Sequence, residues 1–142
     1  MSRLLRERFT TCHRAAAITD AHLNGGYAAR LTTGGDPRKA ALGATLSGSA
    51  ADINEIFGEI KGAVPGPPGA NAVTVQSCGT VELRTDMTEA QINAAIGHGV
   101  LSTKDGTGIV KAAAAPGAGR GRTIGPVTRD GVVYAVVDLD TN

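Results

Sequence analysis

The stretch of this sequence that looks most like chemistry is "APGAGRGRTIGPV", residues 115–127, where four glycines alternate with small and basic residues. A loop of this kind cradles phosphate when a strand precedes it and a helix N-terminus follows, so that backbone N–H groups converge on the anion. Here "GAGRGR" runs into Thr123, Ile124, Gly125 and Pro126. Two β-branched residues, a glycine and a proline do not start a helix. The third glycine also comes too early for G-x-G-x-x-G, and no G-x-x-x-x-G-K-[ST] occurs. The loop is therefore read as a flexible, solvated link between strands, with Arg120 and Arg122 at its surface.

Other reactive types are scattered. Cys12-His13 has no second close pair, and His22 and His98 stand alone, so no zinc spacing is present. Asp138 and Asp140 are too few for a calcium loop and read as a solubilised strand end. No G-x-S-x-G nucleophile turn occurs. Two cysteines, Cys12 and Cys78, make no disulfide framework and read as reduced thiols. The residues point to no catalytic group, no cofactor and no metal, and the chain is not expected to be an enzyme.

Charge sharpens this. Fourteen basic and 13 acidic residues leave a formal charge of +1, which gives no overall pull toward nucleic acid or an anionic membrane. No apolar stretch reaches the length of a membrane span. Charges also interrupt the opening residues, where a secretory leader needs a continuous apolar run, so export by that route is not expected. The exception to the balance is "MSRLLRERFTTCHR", with Arg3, Arg6, Arg8 and Arg14 against Glu7 alone. Residues 1–22 are read as a basic, extended N-terminal arm, and residues 23–142 as a single β-rich domain.

The elements of that domain follow from composition and periodicity. Twenty glycines, six prolines and only four aromatic residues, Phe9, Tyr27, Phe57 and Tyr134, favour short strands and turns around a core of small aliphatic side chains. Strands are predicted over 27–32, weakly over 39–46, and through Val64 after a helical turn near residues 50–54. "PGPPGA" is a stiff connector. In "NAVTVQSCGTVELR", Val73, Val75, Val81 and Leu83 share one face, Thr74, Gln76, Thr80, Glu82 and Arg84 the other, and Gly79 marks a bend. "MTEAQINAAIGHG" predicts one short helix over about 88–96. Thr88 and Gln91 form a capping box, Met87 and Ile92 a staple, and Ile92, Ala95 and Ile96 the buried stripe, with Gly97 ending the helix. Two hairpins follow, turning at Asp105-Gly106 and at Asp130-Gly131. The last strand, Val132 to Leu139, is apolar on both faces. Val133, Ala135, Val137 and Leu139 line one side, and Val132, Tyr134 and Val136 the other. A strand covered twice lies inside a barrel or sandwich, or in a subunit interface. The fold class expected is mainly β, a small β-barrel or β-sandwich.

The segments "GVLSTKDGTGIVKA", "TIGPV" and "VVYAVVDL", with "IFGEIKGAV" and "VTVQSCGTVEL" upstream, resemble small phage capsid decoration (cement) proteins of the short β-barrel type. The resemblance runs from about Asp20 to Leu139. It implies a structural virion protein, made in the host cytoplasm, that binds the outer surface of an expanded capsid and stabilises it. The implied partners are the major capsid protein and further copies of the chain in a homotrimer, with no direct nucleic acid and no membrane. Arg3, Arg6, Arg8 and Arg14 would meet acidic capsid patches, and Val132, Tyr134 and Val136 would form the subunit interface. Two alternatives stand beside this reading. "FGEIKGAV" is similar to a segment of the trimeric dUTPases, but the "G-x-I-D-x-x-Y" and "R-S-G" motifs of that family do not occur. A head-completion or tail protein would be present in few copies per particle.

Overall fold

The computed structural model describes residues 7–14, 18–33, 42–46, 56–63, 72–103 and 107–139. The chain is mainly β, with one short α-helix. The turn expected at Asp105-Gly106, the helical turn near 50–54 and the "PGPPGA" connector lie outside the described residues.

Five strands come first: β1 (Arg8–Arg14), β2 (Ala28–Thr33), β3 (Leu42–Leu46), β4 (Gly58–Ala63) and β5 (Ala72–Cys78). Their pairing, β1-β3-β2-β4-β5, returns to its start and closes a barrel. β1 is antiparallel to β5 and parallel to β3. Cys12, Ala29, Ile60, Val73 and Val75 fill the interior with Ile18, each at most 2% exposed.

Here the reading of residues 1–22 as an arm is corrected. Residues 8–14 are a barrel strand, paired with β5 from Arg8↔Cys78 to His13↔Ala72. The physical reason is alternation: Cys12 points into the barrel while Phe9 and Thr11 point out. The arginines dominate the sequence signal, yet the two β-branched residues Thr10 and Thr11 between them favour a strand.

A bend at Gly79 turns the chain out of the barrel into β6 (Thr80–Arg84). Helix α1 (Glu89–Ala94) follows, then β7 (His98–Ser102), β8 (Val110–Pro116), β9 (Arg122–Arg129) and β10 (Val132–Asp138). β6-β10-β9 form an antiparallel sheet with β10 in the centre, and β7-β8 a hairpin beside it. Thr88 caps α1 by accepting from the Gln91 amide, and Gln91 Oε1 accepts the Thr88 amide. Asp130 and Gly131, at φ 50° and 79°, make the left-handed two-residue turn that a right-twisted hairpin favours.

The second core gathers Val81, Leu83, Ile92, Val100, Val110, Ala135, Val137 and Leu139. Val73 and Val75 therefore do not share a core with Val81 and Leu83, because the Gly79 bend sends the two pairs to different interiors. Ile96, expected in the buried stripe, is 53% exposed. α1 ends at Ala94, so Ile96 lies past the cap and off the helical face. The outer side of β10 also departs from expectation. Ala135, Val137 and Leu139 are buried, but Val132, Tyr134 and Val136 are only half-buried. Within one chain this strand is covered once.

Candidate functional site

The two halves meet along the free edge of β6. In an antiparallel sheet the edge strand leaves alternate backbone groups unpaired. The Glu82 amide donates to Glu59 Oε1 on β4 at 3.2 Å, and the Arg84 amide to the Gly26 carbonyl at 2.7 Å. Glu59 is 5% exposed, and its other oxygen takes Lys61 Nζ at 3.1 Å. Burial raises the pKa of Glu59, while Lys61 and the Glu82 amide pull it back. Gln76, read as part of a solvent face, is 2% exposed here and donates to the Cys78 and Thr80 carbonyls around the bend.

Outward from this seam runs a stacked strip. On the outer face of the sheet, Arg84 lies opposite Tyr134, and Glu82 opposite Val136. The Arg84 guanidinium sits 4.8 Å from the centre of the Tyr27 ring and 5.7 Å from that of Tyr134, and its Nε donates to the Gly25 carbonyl at 2.7 Å. Arg129 covers Tyr134 at 5.7 Å and forms a two-pronged pair with Glu82, Nη2 to Oε2 at 2.8 Å and Nη1 to Oε1. That pair holds the Glu82 carboxyl below its usual pKa. His22 meets Tyr27 edge-on at 4.7 Å. Val132, Tyr134 and Val136 thus lie on one face with Glu82, Arg84 and Arg129, a mix of apolar, aromatic and arginine side chains typical of protein contact surfaces.

The glycine-rich loop does different work from the solvated link expected of it. Arg120 and Val100 exchange backbone hydrogen bonds at 2.9 and 3.0 Å. The Arg120 guanidinium donates to the Leu139 carbonyl at 2.7 Å and to Ser77 at 3.1 Å, which ties β10, the loop and β5 together. Gly119, at φ 81°, passes so close to β7 that a Cβ would lie 2.7 Å from the Val100 carbonyl oxygen. Gly119 and Gly121 are there for close approach of backbones, whereas a Cβ at Gly117 or Gly125 would meet nothing within 4 Å.

Two shallow clefts flank this loop. One, of about 260 Å³, is lined by Ile96, Gly97, Arg122, Thr123, Ile124 and Asp138. The other, of about 370 Å³, has Arg122 as its one ionisable residue. Ile124 stands out at 51% exposed because a bulge between Val136 and Val137 leaves it unpaired.

The remaining residues singled out in the sequence are dispersed. Cys12 is 1% exposed, and burial raises the pKa of its thiol, the reverse of what a thiolate nucleophile needs. Cys78 is half-buried on the bend. His22 caps the Asp20–His22 turn through Thr19, and His98 Nδ1 lies 2.7 Å from the Ala113 carbonyl. Among the described residues no group of three or more His, Cys, Asp or Glu could hold a metal ion. None of the described helices is long and apolar enough to cross a membrane. Of the four arginines assigned to capsid contact, Arg8 is exposed. Arg14 instead donates to the Ile18 carbonyl at 2.7 Å and pairs with Asp20 at 3.0 Å. Arg3, Arg6 and Asp140 lie outside the described residues. The sequence placed Arg84 on a polar face but gave no sign of Tyr27, which arrives from the loop before β2.

No family model matches the chain, and neither a curated protein nor a solved structure does.

Proposed function

We propose that this chain is an adhesive structural protein of a virion, which binds the outer surface of an expanded phage capsid through the major capsid protein and stabilises it, acting as a homotrimer. The observation that carries this reading is the outer face of β10. Val132, Tyr134 and Val136 are half-buried on a central strand whose other face is packed into the core. An apolar and aromatic row on one side of a finished sheet gains free energy when a second surface covers it. A protein that binds only the matured shell lowers that shell's free energy by mass action, and a multivalent ring multiplies a modest contact.

Co-sedimentation with expanded and unexpanded capsids tests the reading, with gel densitometry giving copies per particle. Many copies on expanded shells alone are expected. Binding in few copies, as for a head-completion or tail protein, or turnover of a deoxynucleotide triphosphate by the purified chain, would replace the proposal. The trimer is tested by light scattering on the wild type, and a wild-type monomer would remove that part of the proposal.

A further inference from the structure

We infer that Arg84 is a preorganised carboxylate receptor, the anchor by which this face takes a glutamate or aspartate from an acidic segment of a partner protein. It rests on the adhesive reading for the identity of that partner, the capsid shell, and on the geometry of the strip for its chemistry.

A free arginine side chain loses rotamer entropy when it is fixed in a contact, and this offsets much of what a surface ion pair gains. Arg84 is already fixed. Tyr27 and Tyr134 flank the guanidinium, and the Nε–H is committed to the Gly25 carbonyl. One of five donors is thereby used. Among the described residues the Nη1 and Nη2 edge, the edge that matches both oxygens of a carboxylate, has no hydrogen-bond or ion-pair partner.

Its neighbours make the contrast. Arg129 holds Glu82 and Lys61 holds Glu59, so both nearby carboxylates are engaged and neither turns to Arg84. Among the described residues of the seam and the strip, three cations, Lys61, Arg84 and Arg129, face two carboxylates, Glu59 and Glu82, and the cation left over is Arg84. A single fixed charge suits one carboxylate. A nucleic-acid backbone would call for a row of unpaired cations, because binding there rises with the number of phosphates neutralised. Tyr27 and Tyr134 beside the guanidinium supply the aromatic surround that limits water at a charge-assisted contact.

The test uses the full chain, labelled for detection of arginine Nε–H groups by NMR, and two probes, a hexaglutamate peptide and a hexathymidylate oligonucleotide. Hexaglutamate is expected to shift the Arg84 Nε–H and the Gly26 amide, saturably and less at high salt, with hexathymidylate leaving both unmoved. Arg84→Lys keeps the charge but loses the fork, and should weaken peptide binding about tenfold. Lys111→Gln, which removes a charge from an exposed site on β8, should not change it. Thermal melts check that both variants fold. No peptide-dependent shift in the folded wild type, equal binding by Arg84→Lys, or a stronger response to the oligonucleotide overturns the inference. Shells separate the two readings. If wild type and Arg84→Lys co-sediment alike, the receptor falls and the adhesive function stands. If neither binds shells while hexaglutamate still titrates Arg84, the shell reading falls and the receptor stands.

Discussion

In the barrel, Ser77 donates to the Arg8 carbonyl across 69 residues of sequence, whereas in the sheet Val132 pairs with Arg129 across the Asp130-Gly131 turn. The first half of the molecule is closed by distant segments, including a parallel pair that no tight turn can make. The second half relies more on neighbours, β7 with β8 and β9 with β10, though β6 reaches across to β10. Each has a core, the second also taking in Ala28 of β2 and Ile56, and the two are joined along β6, where the buried Glu59 carboxylate and the Gly26 carbonyl satisfy its amides, and through Arg120, which reaches Ser77. The difference teaches that a small protein with few aromatics can divide its apolar residues between two interiors and still leave no sheet edge bare at the seam.

The comparison is broken hardest by emptying each core in turn. Ile60→Ala in the barrel and Leu83→Ala in the sheet remove side chains that are 0% exposed, and each should cost about 2–5 kcal/mol. Because the seam couples the halves, one cooperative transition is expected for both variants in urea, monitored by circular dichroism and by tyrosine fluorescence. Separated transitions would mean that the barrel and the sheet unfold independently.

Gly119→Ala comes next. It places a Cβ against the Val100 carbonyl oxygen at a positive φ, and the left-handed conformation alone costs roughly 1–2 kcal/mol for a residue with a side chain. The denaturation midpoint should fall, and hydrogen exchange should quicken at Arg120 and Val100, with the amides of β1 little changed. Thr88→Ala removes the cap of α1 and should cost about 1 kcal/mol, visible as faster exchange at Gln91 and Ile92.

The smallest effect sharpens the seam itself. Glu59 and Glu82 are shifted in opposite directions. The folded state raises the Glu59 pKa, so the stability this group contributes is present below its unfolded value and lost as pH rises through the folded one. The folded state lowers the Glu82 pKa, so its contribution is present above the unfolded value and lost as pH falls. Glu59→Gln should therefore gain on wild type as pH rises from 4 toward 7, and Glu82→Gln should lose over the same range, both read from melting temperature against pH. Parallel slopes for the two variants would show that Glu59 is solvated in the folded chain.

Much of the C-terminal half was legible before the fold was known. The capping box at Thr88 and the Asp130-Gly131 turn are local signals, and each appears where the sequence put it. The strand pattern of 73–84 was also correct in phase, with Val73, Val75, Val81 and Leu83 all buried. What failed was longer in range. Arginines hide β1 because charge stands out over alternation, and the glycine-rich loop reads as slack because no sequence shows that two backbones must touch. Gln76 and Glu59 were unreadable as buried groups, since their partners lie on other strands.

The sequence by itself determined the alternation, the turns and the cap, because those depend on residues within a few positions of one another. The tertiary structure alone decided that Tyr27 would meet Tyr134 around Arg84, that Glu59 would close the edge of β6, and that one strand would be left covered on a single face. These contacts join segments remote along the chain, and which remote segments meet is settled by barrel closure, which no single position encodes, acting with the bend that Gly79 marks in the sequence.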